Sequence, residues 1–175
     1  MNFNLEEAIE VLERAPRSLE QLLSGLSEGW LQVREGDGTW NAAEVIDHLL
    51  EAERTNWIPR ISFLLREGAG KPFPPFDRFA HLRSGAAGGL ESKLQEFRDI
   101  RSHNIDLLRA LVPPDTDFEQ TGRHPEFGEV RLSELIAAWA VHDFTHIAQI
   151  VRVMAGRYRS DVGPWEQYLG ILKRR

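Results

Sequence analysis

Trp139-Ala140-Val141-His142-Asp143-Phe144-Thr145-His146 lies inside an amphipathic pattern that runs from Leu132 to Met154 without a proline or glycine. A helical period sustained over that length predicts one long helix. His142 and His146 are four residues apart on it, so they share a face, with Cβ atoms roughly 5–6 Å apart. Both rings can then point at one ion. An ion that keeps a position open for water or substrate needs three protein ligands. The rest of the chain has to supply the third.

Working outward, three more amphipathic patterns precede this one. Asn4 is placed to cap a helix whose first turn carries Glu6 and Glu7, where the helix dipole favours acid. Pro16 removes a backbone donor, so one broken helix is expected over residues 5–26. Arg34-Glu35-Gly36-Asp37-Gly38 is turn chemistry. Thr39 or Asn41 can cap a second helix, from Ala42 to about Arg66, which Pro59 should bend rather than end. Residues 67–87 form a long connection. Gly68, Gly70, Pro72, Pro74 and Pro75 oppose regular structure at its start, while Phe73, Phe76 and Phe79 give it something to bury. A connection of that length can carry the chain the full height of a bundle, so the next helix can run parallel to the one before. The third helix is expected over Gly89 to Leu111, stopped by Pro113-Pro114-Asp115, and a turn or hairpin over Phe118 to Val130. Ala155-Gly156 ends the fourth helix, and Val162 to Leu169 should pack as a short helical segment. These elements make an all-α four-helix bundle, one domain over residues 1–175. Bundles of this kind build metal sites from side chains on facing helices.

Composition narrows the function. At 175 residues the chain can bury a full core. A net charge of −6 argues against nucleic acid as the main partner, because phosphate contacts rely on lysine and arginine. No cysteine is present, which removes disulfides, thiolate metal ligands and cysteine nucleophiles together. The acidic N-terminus lacks the apolar core of a signal peptide, and the longest apolar run, Leu135 to Val141, is too short to span a bilayer. A cytoplasmic location without membrane contact is the expectation.

His48, in the middle of the second helix, is the best candidate for the third ligand. Alternatively, the three histidines are ordinary ones that bond neighbours or water; for His48 the apolar side marked by Ile46, Leu50, Trp57 and Ile61 lies away from it. Asp143 falls towards the apolar side of its helix. It either orients a ligand histidine by accepting the second ring proton, or sits in solvent or at a cap. Glu51, Glu53 and Asn56 are candidates for a general base. Trp57, Arg78 and His81 could line a pocket under the long connection. His81 and His124 otherwise read as loop histidines, His103 as part of the third helix, and Trp40 and Trp139 as core. The zincin pattern His-Glu-x-x-His is absent, since Asp143 follows His142. So are the Glu-x-x-His pairs of di-iron bundles: Trp139 and Val45 stand three before His142 and His48.

Thr39-Trp40-Asn41 with Glu44-Val45-Ile46-Asp47-His48-Leu49 resembles the second-helix signature of the DinB-like superfamily. Trp139 through Ile150 resembles its fourth-helix signature, and His124-Pro125-Glu126-Phe127-Gly128 the segment before that helix. The resemblance implies a bundle whose second and third helices run parallel. It also implies a divalent metal, often nickel or zinc, on three histidines, which match His48, His142 and His146. Members include metal-dependent hydrolases, and transferases or isomerases that use low-molecular-weight thiols. Two functions follow as expectations. One is a metal-dependent enzyme acting on a small molecule, a hydrolase or a thiol transferase. The other is a non-enzymatic bundle whose metal or small ligand serves structure, sensing or dimer formation. The stripe on the first helix and the tail offer a face for a homodimer.

Overall fold

The structure is a computed structural model, and it describes residues 2–84 and 88–173. Four long helical segments carry it. The first, α1 (Leu5–Leu23), starts where the Asn4 side chain accepts from the backbone N–H groups of Glu6 and Glu7 at 2.9 and 3.2 Å. The short α2 (Glu28–Leu31) stands at the head of the stretch expected to be loop. Asn41, not Thr39, caps α3 (Ala42–Thr55): its side chain accepts from Glu44 N–H, and the Glu44 carboxylate accepts from Asn41 N–H. Next come α4 (Trp57–Glu67), α5 (Ala80–Ser84) and α6 (Leu90–Leu111). The antiparallel hairpin β1 (Thr121–His124) and β2 (Gly128–Arg131) leads directly into α7 (Leu132–Ala155).

Both prolines act differently from expectation. Pro16 does not break α1, which runs through it. A proline leaves the carbonyl four residues earlier without its helical donor, and the Leu12 carbonyl accepts instead from the Arg101 guanidinium at 2.8 Å. Pro59 does more than bend its helix. Regular geometry lapses at Asn56 (φ −108°, ψ −64°), three residues before it, so α3 and α4 are separate helices. The tail forms 3₁₀ turns over Gly163–Tyr168 and Gly170–Leu172. It packs less than expected: Trp165 and Tyr168 are exposed, and Leu172 is the residue it buries.

Interhelical contacts fix the directions. Asp47 meets Lys93 and Glu53 meets Arg101, so α3 and α6 run parallel. Glu13 meets Arg109 and Ser24 meets Glu91, so α1 opposes α6. His48 meets His142 while Glu53 meets Trp139, so α3 opposes α7. The parallel pair explains the long connection, because the chain must travel back up the bundle before α6 can begin. That connection is pinned at its start: Phe73 N–H donates to Arg123 C=O at 2.8 Å, and the buried Phe73 ring lies against Gly122 of β1.

The core has two apolar halves. Leu12, Ile61, Phe73, Leu108, Ile136 and Trp139 are among the residues of one, and Leu19, Leu23, Val45, Leu49, Phe97 and Ile150 of the other. Between them lies a buried polar layer of Glu53, Arg101, Asn104 and Asp143. Arg101 is 1% exposed. It donates to Asp143 at 2.6 and 3.0 Å and to Glu53 at 2.9 Å, and lies over the rings of Phe97 and Trp139. Glu53 also accepts from Trp139 Nε1 at 2.8 Å and from Asn104 at 2.9 Å.

A Cβ at Gly122 would lie 2.8 Å from two Phe73 ring carbons and 2.9 Å from Leu64 Cγ. Gly122→Ala is therefore expected to cost about 1–3 kcal/mol through overpacking, read as a lowered midpoint of thermal unfolding. An unchanged midpoint would show that Phe73 does not seat against the hairpin.

Candidate metal centre

The antiparallel approach of α3 to α7 brings three histidines together. His142 and His146 lie one turn apart on α7, and His48 faces them from α3. His142 Nε2 is 3.2 Å from His48 Nε2 and 3.1 Å from His146 Nε2. One ring nitrogen from each lies within 4.8 Å of the other two. Four-coordinate zinc with Zn–N near 2.0–2.1 Å separates its ligand atoms by about 3.3–3.4 Å along a tetrahedral edge. Two edges of the triad are thus already at nearly the spacing an ion requires.

The outer nitrogens explain how two of the rings are aimed. His48 Nδ1 donates to the Arg78 carbonyl at 3.2 Å, and His146 Nδ1 to Gln149 Oε1 at 2.8 Å. A neutral imidazole carries one proton. With that proton on Nδ1, each Nε2 presents its lone pair to the centre, the tautomer that metal-binding histidines use. His142 differs, since its Nδ1 is buried without a hydrogen-bond partner among the described residues. Its Nε2–H can bridge the other two rings in the absence of an ion, and its orientation comes from Trp57, whose ring meets it edge to face at 5.1 Å.

Burial keeps the rings neutral. Desolvation, reinforced by His146, holds His48 down at about 4. Desolvation, with His146 and His48 beside it, holds His142 at about 2. His146 is lowered chiefly by burial as well. Without an ion a single His142 Nε2–H must serve the lone pairs of both other rings, whereas a divalent cation accepts one lone pair from each of the three. An all-nitrogen donor set suits zinc, nickel, copper or iron rather than calcium or magnesium, which prefer oxygen. The residues present therefore fit the metal that the sequence resemblance implies.

Aromatic walls surround the triad. Trp40, expected in the core, stands half-buried at its edge, 4.9 Å from His48 and 4.6 Å from His81. Phe76 approaches His48 at 6.1 Å, and Phe79 meets Trp40 at 6.0 Å. The structure brings Trp57, Arg78 and His81 to the same place, Arg78 through its backbone carbonyl. His81 is not a loop residue: it is buried on α5, 5.3 Å from His48. His124 belongs to β1, where its Nδ1 accepts from the Glu126 and Phe127 backbone and takes no part in the triad. Two clefts lie elsewhere. One of about 640 Å³ lies between α1 and α6 and another of about 950 Å³ beside the tail, and no histidine lines either.

Asp143 and Glu53 correct two expectations. Asp143 is fully buried, so it is neither solvated nor a cap. Both its oxygens are taken by Arg101, so it orients no histidine. Glu53 is committed to Arg101, Asn104 and Trp139, and Asn56 is buried, which leaves neither placed as a general base. Arg101 was missed by sequence reasoning. Its signal is its position on the stripe Leu94, Phe97, Ile105 and Leu108, where a charge is out of place.

The lowered values of His48 and His142 make a pH prediction. In the unfolded chain each ring titrates near 6.5, so below that pH the unfolded state takes up protons that the folded state refuses. Stability of the metal-free protein should be full above pH 6.5 and fall on acidification, by up to about 1.4 kcal/mol per pH unit for each such ring. Thermal unfolding in chelator from pH 7.5 to 5 measures this, and His142→Gln should flatten the slope. An equal slope in the variant would contradict the burial of that ring.

A sequence profile of the DinB superfamily matches residues 11–150. A proposed metal-dependent hydrolase of Oceanobacillus iheyensis is 28% identical over 151 residues, 85% of each chain. YfiT of Bacillus subtilis, also a proposed metal-dependent hydrolase, is 25% identical over 148 residues, 83% of this chain and 81% of its own. The solved structure of YfiT, described as a four-helix bundle of unusual topology, superposes with a TM-score of 0.73 at 24% identity, covering 87% of this chain and 86% of that one. The four-helix arrangement is therefore shared. With most of its length matched from α1 into α7, the chain belongs to the DinB superfamily.

Proposed function

We propose that the chain is a metal-dependent hydrolase of a small molecule, with one divalent ion, zinc or nickel, held by His48, His142 and His146. The observation that carries this reading is the convergence of three neutral ring nitrogens, two of them aimed by Nδ1–H bonds to oxygen. The names given to the relatives support the same reaction class. Three protein ligands leave a coordination position open. An ion held by the three histidines would supply Lewis acidity, lowering the pKa of a water, or of a thiol, taken from solution. A thiol would have to arrive as a ligand, because the chain has no cysteine.

The protein's own groups then divide the work. His48 and His146 are held by the Arg78 carbonyl and Gln149. Trp40, Trp57, Phe76 and Phe79 give the site apolar walls, which favours a substrate with a flat or apolar portion beside the bond to be cleaved. His81 is an ionisable ring next to His48, and burial lowers its pKa. We assign it to proton transfer on the substrate side.

Elemental analysis of purified protein should find close to one divalent ion per chain, and His142→Ala should lose most of it. Equal metal content in the two would remove the site. Free zinc at about 100 times its Kd should raise stability by about 2.7 kcal/mol. A melting temperature indifferent to chelator and added metal would contradict the assignment. His81→Gln should keep its metal while kcat falls, about 10²-fold or more for a lost acid–base group. Unchanged turnover would remove His81 from the chemistry.

A further inference from the structure

The polar layer between the two core halves touches all four long helices. Arg101 of α6 donates to the Leu12 carbonyl of α1, to Glu53 of α3 and to Asp143 of α7. Trp139 of α7 donates to the same Glu53. These bonds join α3 and α7 close to the triad: Asp143 follows His142, and Glu53 stands five residues after His48. No group of the layer is hydrogen-bonded to a histidine ring among the described contacts. The layer acts on the site through the charge of Arg101, which helps keep His142 neutral, and through the helices it joins.

Stability alone does not account for such a layer. Replacing a buried ion cluster by apolar side chains of similar volume is often neutral or stabilising. The apolar halves on either side would tolerate that exchange. What apolar contacts do not supply is register, because antiparallel helices held by side-chain packing can slip by a turn, about 5.4 Å. A slip of that size carries His48 out of ligand range of the α7 pair. The guanidinium prevents it. Its fork is planar and two-pronged, it takes both oxygens of Asp143, and it reaches Glu53 through the same nitrogen that serves Asp143 Oδ1.

We propose that Arg101 is a positioning residue for the metal centre: through Glu53 and Asp143 it sets the register of α3 on α7, and so the spacing of His48 from His142 and His146. The proposal rests on reading the triad as the metal site.

The test compares zinc affinity, by competition with a chromophoric chelator, against the thermal midpoint of the metal-free protein. One variant combines Arg101→Met, Asp143→Leu and Glu53→Gln; Glu53→Gln keeps an acceptor for Trp139 and Asn104. The expected result is zinc affinity at least tenfold weaker in a protein that still unfolds cooperatively, its midpoint lowered only as far as the unpaired Leu12 carbonyl requires. Wild-type affinity in this variant overturns the proposal. Should it fail to fold, Arg101→Lys keeps the charge and loses the fork. Leu64→Ala, a destabilising change in α4, is its control. Weaker zinc binding in Arg101→Lys with affinity retained in Leu64→Ala supports positioning. An equal loss in both, or none in Arg101→Lys, overturns it. Wild-type protein that binds no zinc would instead defeat the metal assignment itself.

Discussion

One guanidinium, buried between two carboxylates, sets the terms for the rest of the molecule. An arginine removed from water is tolerable only when its donors are answered. The two terminal nitrogens of Arg101 are answered from three directions, by Asp143, Glu53 and the Leu12 carbonyl, while its Nε meets no acceptor among the described residues. The bond to Leu12 exists because Pro16 cannot supply the helical donor for that carbonyl. A proline expected to break α1 is thus accommodated by a side chain from α6, and α1 stays continuous from Leu5 to Leu23. The same contacts divide the core into two apolar halves and hold the helices at fixed heights.

Fixed heights matter because the histidines come from two helices. His142 and His146 are spaced by one helix, and helical geometry keeps them together whatever the rest of the chain does. His48 is brought by tertiary structure. Its aim depends on Arg78 near the middle of the long connection, so the crossover demanded by the parallel α3 and α6 also finishes the site. The carbonyl of Arg78 fixes the His48 tautomer, while Phe76 stands beside the ring and Phe79 against Trp40. Topology and chemistry meet in that segment.

Much of this was legible in the sequence because it follows from periodicity. The amphipathic patterns give the helices, the i, i+4 spacing gives the α7 pair, and the long Gly- and Pro-rich connection gives the parallel step. What was not legible depends on partners far away in the chain. Asp143 looks like any polar residue at a stripe's edge until Arg101 is seen to take both its oxygens. Glu53 resembles a possible base until Trp139 and Asn104 claim it. Trp40 reads as core by hydropathy, yet it stands half-buried beside His48 and His81 and walls the site. The effect of Pro59 was misjudged because the lost bond is felt three residues earlier, at Asn56, and not at the proline itself.

The central claim is that three imidazoles from two helices hold one ion. X-ray absorption on protein loaded with one equivalent of zinc tests it most directly. The account predicts a first shell with three imidazole nitrogens at about 2.0–2.1 Å, completed by an exchangeable light atom. A shell with fewer than three imidazoles, or with a carboxylate from Asp143 or Glu53 in place of one, would contradict it.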